Sequence, residues 1–166
     1  MSVLSADFQT AIFSAWEASG LDATFKSLWG GSVVVADFPV LHETEASPGQ
    51  PFPYCVVKFD LPNVGGRMYS GGDTKDMIID VETEFNIFAD EVVGDARSSK
   101  QIAASLAEEI MKVFGGHPTE GPSAISLTHG FHLITQYQND YSARAEEDKH
   151  QWVVKYLFKL DVPVAV

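Results

Sequence analysis

Cysteine is almost absent from this chain. Cys55 is the only one, so no intramolecular disulfide can form. Its place in the apolar run Tyr54-Cys55-Val56-Val57 predicts a buried, inert thiol. Positive charge is scarce as well: 11 Lys and Arg stand against 23 Asp and Glu, a formal net charge of −12. Such a surface repels a phosphate backbone, which argues against sequence-reading nucleic-acid binding. The acidity fits ordinary solubility, or a negatively lined opening past which DNA slides without sticking, and composition does not choose between them. Long hydrophobic runs are missing too. No stretch approaches the 18 apolar residues of a membrane span, and residues 1–7 carry neither the basic nor the apolar region of a signal peptide, so a soluble protein is expected. There is no internal repeat and no low-complexity tract. The 166 residues suit one domain over 1–166 with a sizeable core.

Motifs that carry chemistry are equally sparse. His129 and His132 are three apart on an expected strand, which puts them on opposite faces and unable to share a metal. His42-Glu43-Thr44-Glu45 lies in a Pro-rich segment without a second cluster at ligand spacing. Gly65-Gly66 and Gly71-Gly72 precede a strand, not a helix N-terminus, and lack the Gly-Lys-Ser/Thr of a phosphate loop. Cys55 has no base that the sequence can place, and no serine sits in a nucleophile elbow. The expectation is a protein that is not an enzyme, with no catalytic residue, metal or cofactor.

Hydrophobic periodicity is the strongest positive signal. Over 77–88, Ile79, Val81, Phe85 and Ile87 alternate with Asp80, Glu82, Glu84 and Asn86, the pattern of a strand buried on one face. Residues 125–140 and 151–162 form a second alternating pair joined by the polar stretch 141–150, an expected antiparallel hairpin. Strands of this length span roughly 40–50 Å, against a diameter near 40 Å for a domain of this size, so part of the hairpin is expected to leave the body. A helix is expected over about 5–19, where Phe8, Ile12 and Trp16 recur, with Ser2 or Ser5 as cap and Gly20 as the left-handed stop. Residues 21–29 are amphipathic, and 32–36 and 54–59 read as strands. The segment 37–53, with four prolines, and the Gly-rich 60–76 read as long loops. A second main helix is expected from 95 or 98 to 114, opened by a Ser98/Gln101 capping box and carrying Ile102, Leu106, Ile110 and Val113 on one face. The fold class is therefore α+β: a largely antiparallel or mixed sheet with two main helices on one face and a long C-terminal β-hairpin.

The strand ending in Phe85-Asn86-Ile87-Phe88-Ala89-Asp90, the spacer into helix 98–114, and a hairpin whose second strand is Trp152-Val153-Val154-Lys155-Tyr156-Leu157-Phe158 together resemble the tail terminator, or tail completion, proteins of long-tailed bacteriophages. The N-terminal helix and the Pro53-Tyr54-Cys55-Val56-Val57 strand fit the same layout, and the likeness runs over residues 5–162. The resemblance implies a homohexameric ring that caps the tail tube, ends its polymerisation and offers the surface to which the filled head docks. Its implied partners are other copies of itself, the tail tube protein and the head–tail connector or neck proteins, with DNA passing through the ring without tight binding. No catalytic residue is implied. The chain departs from the smaller members in its longer 37–53 loop. Other readings stay open: another neck protein such as a connector or stopper, a small α+β binding module, or an enzyme of unknown type, which a convergent set of perturbed titratable groups in one pocket would revive.

Two groups of residues are then candidates for contact. Arg67, Met68 and Tyr69, between the two Gly pairs, make an adaptable tip suited to a partner subunit or the tube. The acidic positions Glu82 and Glu84 on the polar face of one strand, and Glu146, Glu147 and Asp148 at the hairpin turn, are candidates for a lining that faces DNA.

Overall fold

A computed structural model describes the backbone of residues 3–29, 40–42, 51–60, 67–71, 74–115, 132–146 and 149–164, and the side chains of 8–29, 51–60, 81–115, 139–142 and 149–158. Among the described residues three helices and six strands follow in the order α1 (Val3–Ala18), α2 (Leu21–Lys26), β1 (Val40–His42), β2 (Tyr54–Asp60), β3 (Arg67–Gly71), β4 (Thr74–Ala89), α3 (Ser99–Phe114), β5 (His132–Glu146) and β6 (Lys149–Val164). The sheet order is β1-β2-β4-β6-β5, antiparallel except for the parallel β1–β2 pair. β3 lies end to end with β2 along one edge of β4, pairing Thr74–Ile78 while β2 pairs Glu82–Phe88. This is the expected α+β fold.

Alternation sets which face is dry. Val81, Thr83, Phe85, Ile87 and Ala89 of β4 are fully buried, as are Val154, Tyr156 and Phe158 of β6. The helices supply the opposing layer through Phe8, Ile12 and Trp16 of α1 and Ile102, Leu106, Ile110 and Phe114 of α3. Phe85 is the meeting point: its ring lies 6.3 Å from Trp16, 4.8 Å from Phe114 and 5.9 Å from Tyr156. One strand side chain thus touches both long helices, so both contact the same face of the sheet. Aromatic pairs at such separations add about 0.5–1.5 kcal/mol each to what their burial contributes.

Helix ends follow local chemistry. Ser98 and Gln101 form the expected capping box, with the Ser98 hydroxyl accepting from the Gln101 N–H while the Ser98 N–H donates to Gln101 Oε1 at 2.9 Å. Gly20, at φ 80°, ends α1 in the left-handed region where a Cβ is unfavourable. The Trp16 indole N–H then donates to Asp22 at 2.6 Å, tying α2 back onto α1. Cys55 is buried as expected, and burial pushes its thiol well above its ordinary range.

Several expectations need correction. Ser5 lies inside α1 and cannot cap it. The 37–53 loop contains β1, whose backbone pairs Val40 with Cys55 and His42 with Val57. The 60–76 connection contains β3, which folds back on β4 as a hairpin. The polar stretch 141–150 is mostly strand, because β5 runs to Glu146 and β6 begins at Lys149. Its turn does not project far, since Ala89 pairs with His150 and only the Glu146/Lys149 pair lies beyond. The opposite end of the sheet is the one that continues past Val81 and Phe158, with Lys75 of β4 paired to Val164 of β6. The strand expected over 32–36 lies outside the described residues.

Candidate interaction surfaces

The second face of the sheet carries the polar positions. Lys58 and Asp60 of β2 stand directly across from Glu84 and Glu82 of β4, and Lys155 of β6 stands across from Glu84 on the other side. Between β2 and β4 lies an open groove of about 300 Å³, lined by Lys58, Phe59, Asp60, Glu82 and Glu84. Glu82 is exposed. Glu84 is half-buried and its carboxylate receives Lys155 Nζ at 3.1 Å, while the bond to Glu84 and the Tyr141 phenol hold the Lys155 ammonium above its usual range. The two expected acidic positions are therefore not equivalent: Glu82 presents charge to solvent, whereas Glu84 has it largely cancelled across the strand pair.

The same face is not uniformly polar. Val56, Asn86 and Val153 are 7 %, 4 % and 3 % exposed. Asn86, expected on the wet side, is instead enclosed: its amide accepts from Gln151 Nε2 at 3.0 Å and reaches the Val56 carbonyl at 3.5 Å. Beside it runs an aromatic strip, with Phe52 5.1 Å from Tyr54 and Tyr54 stacked 5.0 Å from Phe88, and Lys149 Nζ 5.2 Å above Phe52. Alternation in β2 and β4 puts Tyr54, Val56, Asn86 and Phe88 on one face, so this strip was readable in principle. The eye follows Glu82 and Glu84 along the same face and misses it.

Arg67, Met68 and Tyr69 pair with Ile78, Met77 and Asp76 of β4, so their backbone is engaged within the chain. Their side chains, like that of Glu146, fall outside the described residues, as do Glu147, Asp148 and His129. Glu146 pairs with Lys149 at the hairpin turn. Among the described residues no group of His, Cys, Asp and Glu could hold a metal ion, and no helix is long and apolar enough to cross a membrane.

Two cross-strand bonds near the hairpin turn had no sequence signal beyond alternation. Ser142 Oγ and His150 Nε2 are 2.5 Å apart, and Trp152 Nε1 donates to Asp140 at 2.9 Å. They flank an irregularity between Ser142 and Arg144 in the β5–β6 ladder. On the loop entering α3, Arg97 grips the Asp95 carboxylate through Nε and Nη2 at 3.0 and 2.7 Å, and these hydrogen bonds hold the Asp95 carboxyl down at about 2. Comparison with family models and with curated proteins finds no match for this chain.

Proposed function

We propose that the chain is a structural virion protein of the tail terminator class, which closes into a ring, six subunits in the family it resembles, on the end of a phage tail tube. The observation that supports this reading most directly is the length of the sheet. β4, β5 and β6 hold 16, 15 and 16 residues, about 50 Å each at 3.3 Å per residue, while a compact domain of this size is about 40 Å across. Strand ends that outrun the body give a neighbour something to grip, and a head-to-tail contact that closes makes a ring. In this reading the tail tube protein and the neck proteins meet its two faces, and Glu82 belongs to the surface that keeps passing DNA from sticking. A charge of this sign acts within about 8 Å at physiological salt.

Light scattering and negative-stain images of the purified protein, alone and mixed with tail tubes, test the assembly. Rings, free or on tube ends, are the expected result. A chain that stays monomeric under every condition and leaves tube growth unchanged rejects it.

A further inference from the structure

Among the described residues β5 pairs only with β6, and β3 only with β4. Each therefore has an edge along which alternate residues turn backbone N–H and C=O groups away from the sheet. Folded chains commonly guard such edges with charges, prolines or bulges. In β5 the guards are confined to one half. Both register shifts of the β5–β6 ladder, between Tyr137 and Asn139 and between Ser142 and Arg144, lie there, with Asp140, Arg144 and Glu146. β6 carries Pro163 where it runs past the start of β5. Residues 132–137 have no such device. They pair in unbroken register with β6 from Asp161 to Tyr156, hold no Asp, Glu, Lys, Arg or Pro, and include the strand formers Ile134, Thr135 and Tyr137. At the same end of the sheet the opposite outer strand is β3: Arg67, Ile78, Asp161 and His132 stand in one row across β3, β4, β6 and β5.

We propose that residues 132–137 of β5 pair with Arg67–Gly71 of β3 in a second copy of this chain, so that the sheet runs on from subunit to subunit. The four strands alternate in direction, because each of the three pairings in that row is antiparallel. A β5 laid beside the β3 of the next copy, in the same orientation, is then antiparallel too, and the ladder continues in its own sense. Charge favours these segments over the rest of the surface. Copies of net charge −12 repel one another, and the two segments hold no acidic residue and a single charge, Arg67. Main-chain hydrogen bonds supply the contact, as in strand addition to a sheet edge. The contact is head-to-tail, so it rests on the assembly reading above and names the strands that carry it.

A cysteine scan of the full chain tests the pairing. Each of residues 132–137 is replaced in turn by Cys, alone and together with Met68→Cys or Tyr69→Cys, and the protein is oxidised under the conditions that give assemblies. Cys55 is buried and does not compete. Within one chain β3 and β5 are three strand spacings apart, about 14 Å. That is beyond the roughly 7 Å at which two Cα atoms can be bridged, so a disulfide between the segments forms only between copies. The expected result is a ladder of covalent dimers and larger species from at least one double variant, with none from the single variants. Dimers from the single β5 variants show β5 pairing with β5 and overturn the proposal. Assemblies that give no cross-link in any double variant overturn it while leaving the assembly reading intact, and a chain that never assembles rejects both. Hydrogen exchange on the unsubstituted protein decides if the variants do not fold. Alternate amides of 132–137 should exchange at least about tenfold more slowly in the assembly than in the dissociated monomer, and equal protection in the two states overturns the pairing.

Discussion

Thr83 offers the sharpest test of the packing described above. It is fully buried on the core face of β4 between Val81 and Phe85, with Phe59 and Tyr156 as its register partners, and its hydroxyl has no hydrogen-bond partner among the described residues. Burying an unpaired hydroxyl costs about 1–3 kcal/mol. Thr83→Val replaces that oxygen with a methyl of nearly the same size on an equally β-branched residue, so strand propensity is preserved. Allowing for some strain from the larger group, the variant should gain about 1–2 kcal/mol, or roughly 3–6 °C in Tm for a chain of this length. Two companions separate the hydroxyl from the methyl. Thr83→Ser keeps the oxygen and loses a buried carbon, which should cost about 1 kcal/mol, whereas Thr83→Ala loses both and should fall near the wild type. The expected order is Val, then wild type and Ala, then Ser, read by urea denaturation with unchanged m-values and by calorimetry. If Val is less stable than Thr, or Ser is no worse than Ala, the hydroxyl has a partner and the reasoning fails.

Other outcomes follow from single contacts. The buried Tyr156 hydroxyl donates to the Gly115 carbonyl at the end of α3, so Tyr156→Phe should lose about 1–2 kcal/mol in urea denaturation, with the loss local to the α3–β6 contact by hydrogen exchange. Ser98→Ala removes the cap of α3 and should lower stability by about 1 kcal/mol while Ser98→Gly costs only a few tenths, a difference that thermal melts resolve. Glu82→Lys, at an exposed position, should leave Tm within a degree or so but impair DNA ejection or head joining if Glu82 faces the path of DNA; full infectivity of phage carrying it would remove that role. Glu84→Lys should behave differently and destabilise the fold modestly, because it sets a lysine against Lys155.

The contrast between those two glutamates shows how far the sequence could be read. Period-2 alternation predicted strand β4 and placed Val81, Phe85 and Ile87 in the core, because which face a residue takes depends only on its own strand. The capping box at Ser98 was legible for a similar reason, since all its donors and acceptors lie within four residues. Whether Glu84 is a free charge or half of an ion pair depends instead on register with β6, more than sixty residues away, and no local pattern carries that. The same holds for β1 and β3. Prolines and glycines around them signalled loops, yet short strands need little propensity once a formed neighbour, β2 for β1 and β4 for β3, offers unpaired N–H and C=O groups along its edge. β2 covers only the Glu82–Phe88 part of one edge, leaving the rest to be satisfied, and the hairpin 67–78 does so for Thr74–Ile78. The length of β4 thus accounts for two features at once: it recruits β3 from a segment that reads as a loop, and it carries the sheet beyond Val81 to the Lys75–Val164 pair with β6.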